Sequence, residues 1–148
     1  MNEILLNKFS DIFKNNILPL TIKGVETGNK IFGAAIINKD DHSLVVAGSN
    51  NETENPLWHG EIHTLKKFYE LNNNMRPNEK NCIFLSSHEP CSLCLSAITF
   101  SGFDNFYYLF PYKSTSVEFN IPHDINVLKE VFNISDGKYI KENSYWKS

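Results

Sequence analysis

Arg76 is the only arginine in a chain of 148 residues, and the lysines are scattered. Proteins that grip phosphate backbones present a concentrated basic face. With a net charge of −3, this composition argues against a nucleic-acid or nucleotide partner. Cysteine is scarce too. Three thiols cannot all pair within the chain, and Cys91 and Cys94 sit at a spacing that suits a metal better than a disulfide framework. A reducing, cytoplasmic setting follows as the expectation. No apolar run approaches the roughly 20 residues of a membrane span. Met1-Asn2-Glu3 lacks the basic-then-apolar order of an export signal, so neither insertion nor secretion is expected. Internal repeats and interdomain linkers are also missing, which makes residues 1–148 one expected domain.

What is present is an ordinary apolar content of 41%, enough for a core, arranged in alternating periods. Leu5, Phe9, Ile12 and Phe13 recur at helical spacing over residues 2–18, and Pro19 is expected to end that helix. A glycine-containing loop over residues 24–30 follows. Residues 31–37 and 44–47 read as strands joined by the turn cluster Asn38-Lys39-Asp40-Asp41-His42, hence as an antiparallel hairpin with His42 solvated. From Glu61 the pattern turns helical, with Ile62, Leu65, Phe68 and Tyr69 on one face. A loop through Asn72-Asn73-Asn74 leads to a short apolar strand from Cys82 to Leu85, in which Cys82 acts as a small buried hydrophobe. Pro90 suits the first turn of a helix over residues 91–101 that stops at Gly102. Residues 106–110 make another strand. Strand, helix and strand with short connections form a right-handed parallel crossover. A last helix opens at Pro122 and Asp124 with Ile125, Leu128, Val131 and Phe132, and the tail carries Tyr139, Tyr145 and Trp146. The order α-β-β-α-β-α-β-α implies an α/β chain whose sheet lies between helices.

Two short stretches carry the chemistry: His59-Gly60-Glu61 and Pro90-Cys91-Ser92-Leu93-Cys94. Cys91 and Cys94, at i and i+3 in a first helical turn, face one way. The helix N-terminus favours the thiolates a metal needs. Alone, the pair also fits a redox dithiol, although its place after the third strand and after His59 speaks for metal. A four-cysteine ribbon is excluded, because only Cys82 remains. One imidazole and two thiolates leave a fourth tetrahedral position for water, the mark of catalytic zinc. His63 is the rival ligand, paired with His59 at i, i+4, but Gly60 breaks the H-E-x-x-H pattern that such a helix needs. His88 is placed either to touch a substrate or to be a neutral neighbour, and His123 is unassigned.

The pattern H-x-E with P-C-x-x-C resembles the zinc-dependent nucleobase deaminases. The chain is similar to the cytidine deaminase-like superfamily over residues 30–112, and most of all to its branch of cytosine, guanine and tRNA adenosine deaminases. Phe32-Gly33-Ala34-Ala35 matches the first strand of guanine deaminases. Gly48-Ser49-Asn50-Asn51 matches the end of the second strand, whose Asn contacts the base. His59-Gly60-Glu61 has the Gly of cytosine deaminases, and Ser87-His88-Glu89-Pro90-Cys91-Ser92-Leu93-Cys94 resembles the guanine deaminase version. The segment from Asn50 to His59 is shorter than in those relatives, and Trp58 stands where they have a small residue.

The resemblance implies a three-layer α/β/α sandwich with a mixed sheet of about five strands. It also implies one zinc per chain on His59, Cys91 and Cys94, with Glu61 as the catalytic proton carrier. Asn50, Phe32, Trp58 and His88 become the substrate contacts. The implied reaction is hydrolytic deamination of a guanine-type or cytosine-type base or nucleoside. A homodimer is implied, and the aromatic-rich residues 103–112 are the candidate contributor. Two rivals stand beside this reading: a polynucleotide deaminase, and a structural-zinc interaction protein on the same fold.

Overall fold

β1 (Gly33–Asn38) and β3 (Cys82–His88) form the middle of the sheet, and all of their residues except Asn38 are buried. The structure, a computed structural model, describes residues 3–113 and 123–135. β2 (Leu44–Ser49) and β4 (Tyr107–Phe110) lie outside them, giving the order β2-β1-β3-β4. β1 is antiparallel to both β2 and β3, while β3 and β4 run parallel. The hairpin forms as expected, and the strands on either side of the helix expected over residues 91–101 pair in parallel as expected. Four strands are present among the described residues, one fewer than the resemblance implied.

Strand alternation divides the core into two layers. Ala34, Ile36 and Phe84 meet Leu65, Phe68 and Ile98 from α3 (Gly60–Glu70) and α4 (Ser92–Phe100), with Cys82 buried among them. Ala35, Ile37, Ile83 and Leu85 meet Phe9, Ile12 and Ile17 from the N-terminal helices. Phe103 packs its ring on Phe68 and Phe84 and is 2% exposed, which removes it from any surface a second chain would use. α3 lies close on the hairpin because Gly48 has no side chain. A Cβ there would come within 3.2 Å of the Thr64 backbone. Tyr69, expected on the buried face of α3, is exposed under Arg76 and hydrogen-bonds Glu79.

Pro19 does not end the first helix. α1 (Glu3–Ile12) passes through a π turn, Phe13–Ile17, into α2 (Leu18–Glu26). The Leu18 N–H reaches back to the Phe13 carbonyl, so Pro19 falls in a fresh first turn, where its missing donor costs nothing. Helix consequently runs through Gly24, and the loop starts after Glu26. The last described helix, α5 (His123–Glu130), buries Leu128. Val131 and Phe132, expected on its apolar face, lie beyond its end and are exposed. Tyr139, Tyr145 and Trp146 lie outside the described residues.

Candidate active site

His59 and Cys91 are the N-cap residues of α3 and α4, and neither cap makes a side-chain bond to its own helix. Both side chains are thus free to turn toward the gap between the two helix starts. His59 Nδ1 lies 3.4 Å from Cys91 Sγ and 3.6 Å from Cys94 Sγ. The ligand atoms of all three residues fall within 4.8 Å of one another. Zn–N and Zn–S bonds of about 2.05 and 2.3 Å at tetrahedral angles give an N···S edge of roughly 3.5 Å. The donor set fits one zinc ion per chain, and the three residues line a cavity of about 490 Å³.

Glu61 follows in the first turn of α3, 5% exposed, with Oε2 3.3 Å from Cys94 Sγ. Burial, then the negative charge of Cys91, pushes its carboxyl up to about 7. The Cys91 thiol is pulled down to about 4 by the hydrogen bond from Cys94 and by His59, against burial, while Cys94 is raised. His59 is raised, first through its hydrogen bond to Cys91. The close approach of α3 depends on Gly60. A Cβ there would stand 2.7 Å from the Phe32 carbonyl and 2.8 Å from the Gly33 nitrogen.

Phe32 and Asn50 line the same cavity as the cluster. Asn50 is 2% exposed and locked in place. Its Oδ1 accepts from the Lys30 and Glu52 backbone N–H groups at 3.2 and 3.3 Å, and Nδ2 donates to Glu52 at 2.7 Å. One N–H remains to offer a ligand. Asn51 instead donates to Glu54.

Trp58 and His88, expected as substrate contacts, are not among the residues that line this cavity. The Trp58 ring stacks at 5.7 Å on His63, with Lys66 over it, on the outer side of α3. His63 is held there by a hydrogen bond from Nδ1 to the Ser49 carbonyl at 2.8 Å, away from the metal ligands. His88 lies behind the site between Phe32 and Phe110, where burial lowers it to about 4. It lines a separate apolar groove against α2.

Glu52 and Asp124 were missed. Both line the cavity. Asp124 arrives on α5, which packs against α4, and burial followed by the Cys91 charge raises it to about 6. Glu52 bonds Lys30 at 2.9 Å as well as Asn50. Burial opposes its ionisation, but these two bonds outweigh it and hold the carboxyl below its usual range. Neither residue belongs to a motif, so spacing alone could not single it out.

Fold and site together define an α/β/α protein with an open metal site and a buried carboxyl beside it. The sequence profile of the cytidine and deoxycytidylate deaminase zinc-binding region matches residues 15–110, and the chain belongs to that deaminase family. Over 91 residues it is 31% identical to a guanine deaminase of Bacillus subtilis (strain 168), covering 60% of this chain and 56% of that relative. The matched segment thus spans little more than half of the relative's length. The crystal structure of guanine deaminase from Bacillus subtilis superposes with a TM-score of 0.65 at 24% identity, over 97% of this chain and 85% of the other. A structure from work on A-to-I editing by tRNA:A34 deaminases gives 0.56 at 21%, covering 67% of this chain and 75% of the other. A protein solved with 2,6-diaminopurine gives 0.54 at 23%, covering 67% and 55%. These structural likenesses bear on the fold.

Proposed function

We propose that the chain is a zinc-dependent hydrolase that deaminates a free nucleobase of the guanine type, with His59, Cys91 and Cys94 as metal ligands and Glu61 as the proton carrier. The observation that carries this reading is the buried Glu61 carboxyl, 3.3 Å from Cys94 Sγ at the wall of the cavity that the three ligands share. Zinc in the site supplies the Lewis acidity that makes a water acidic near neutral pH. Glu61 takes a proton from that water as its oxygen adds to the amine-bearing ring carbon. The carboxyl then returns that proton to the ring nitrogen, takes the second proton from the hydroxyl now on the ring carbon and passes it to the amine, which leaves as ammonia while the ring carbonyl forms. Burial raises the proton affinity of the Glu61 carboxyl, which suits it to act as acceptor and as donor. Phe32 walls the ring, and the remaining Asn50 N–H donates to an acceptor on its edge.

The 31% identity to a guanine deaminase and the purine analogue bound by a structural neighbour favour guanine over cytosine. The test is a screen of guanine, cytosine, adenine and their nucleosides for ammonia release by zinc-loaded protein. Release from guanine above the others is expected, and no release from any of them counts against the reading. The tRNA deaminase neighbour supports a polynucleotide substrate as the second reading. The net charge of −3 and the single arginine oppose it, and a salt-dependent gel shift with tRNA would favour it. The single-domain reading of residues 1–148 and the cytoplasmic, homodimeric state belong to the same proposal. Three free cysteines support the compartment. Exposed Leu93 and Phe100 on α4 support a second copy, to be checked by light scattering at micromolar concentration.

A further inference from the structure

Glu52 stands at the junction of the proposed metal site and the proposed base-binding residue. Its Oε2 accepts from Asn50 Nδ2 at 2.7 Å. Its Oε1 accepts from Lys30 Nζ at 2.9 Å and lies 3.7 Å from His59 Nε2. The imidazole is therefore bracketed, with both sulfurs beyond Nδ1 and a carboxylate beyond Nε2.

We propose that Glu52 is a positioning residue that serves both halves of the site, holding His59 in the metal-binding tautomer and Asn50 in one amide orientation. The inference rests on the ligand set of the preceding section. At 3.7 Å the Glu52 carboxylate is beyond hydrogen-bond distance of Nε2, but its negative charge favours the ring hydrogen on that nitrogen over Nδ1. The lone pair of Nδ1 is then left for the metal. The same carboxylate can only accept, so it fixes the donor end of the Asn50 amide toward itself. The amide oxygen is turned onto the Lys30 and Glu52 backbone, and Asn50 meets a ligand as a donor only. Lys30 neutralises the carboxylate and holds it in place, and it touches neither His59 nor Asn50 through its ammonium.

The test uses full-length protein and a zinc-binding chelator in competition. Two readouts accompany it: the Asn50 side-chain NH₂ signals by nitrogen-15 NMR, and the melting temperature. Glu52→Gln keeps the volume but faces Nε2–H with an amide. Zinc affinity is expected to fall about 10–100-fold. The Asn50 NH₂ signals should shift, and Glu52→Asp should recover part of both effects. Lys30→Met should weaken zinc less than Glu52→Gln does. Zinc affinity of Glu52→Gln within twofold of the parent, with unmoved Asn50 signals, overturns the proposal even if the melting temperature falls. That pattern makes Glu52 an ion-pair partner of Lys30 and nothing more. His59→Ala is run alongside. If it retains zinc, the ligand set fails and this proposal fails with it. If it loses zinc while Glu52→Gln does not, this proposal alone fails.

Discussion

The two helices that carry the proposed metal ligands start under different constraints. α3 starts under a steric one, since Gly60 lies against the Phe32 and Gly33 backbone with no room for a methyl group. α4 starts under hydrogen bonds. The Glu89 N–H donates to the Phe110 carbonyl and the Glu89 carboxylate accepts from the Tyr112 N–H, each at 2.8 Å, and the Tyr112 hydroxyl donates to the Pro90 carbonyl. Contact with the backbone tolerates no adjustment, whereas a set of hydrogen bonds can lose one member and hold. The chain therefore places His59 and Glu61 rigidly, and places Cys91 and Cys94 through a segment that lies beyond β4.

The most severe way to break both starts is to remove what joins them. Cys91→Ala or Cys94→Ala is expected to abolish stoichiometric zinc, read by metal analysis, and activity with it. Zinc-dependent stabilisation disappears too, worth about 4 kcal/mol when free zinc is a thousandfold above Kd. Gly60→Ala tests the steric start. Forcing a methyl group against backbone should cost about 3 kcal/mol by denaturant titration and reduce turnover, because His59 and Glu61 move together. A cost below 1 kcal/mol would show that α3 can shift.

His88 lies behind the site, against Phe32 on one side and Phe110 on the other. Burial lowers it from 6.5 to about 4. Between those values the unfolded chain binds a proton that the folded chain does not, so stability is present above pH 6.5 and is lost as pH falls toward 4. The loss is on the order of 2 kcal/mol, and His88→Phe should flatten it in melts taken from pH 7 to pH 4. Tyr112→Phe tests the hydrogen-bonded start and should have the smallest effect, about 1 kcal/mol, with zinc retained. Loss of zinc in Tyr112→Phe would make α4's start as intolerant as α3's.

The contrast also explains what could be read in advance. His59-Gly60-Glu61 and the Cys91–Cys94 pair are local patterns, and the glycine that lets α3 approach stands inside the first of them. The hairpin was legible because turn residues from Asn38 to His42 separate two apolar runs. Pro19 misled because a π turn restarts the ladder ahead of it, which no residue pattern announces. Trp58 was assigned to the cavity from its place beside His59. The ring instead stacks on His63 of α3. Glu52 is fixed by its bonds to Lys30 and Asn50, and Asp124 arrives with α5 against α4; neither arrangement follows from a residue pattern.

The central claim is that Glu61 moves protons and holds no metal. Its most direct test is Glu61→Gln, with zinc content, melting temperature and ammonia release from guanine measured on the same sample. Retained zinc, a stability change of about 1 kcal/mol or less and a rate lowered by about 10⁴-fold or more are expected, because one carboxylate serves several proton transfers. Ammonia release near the parent rate with zinc retained would contradict the account.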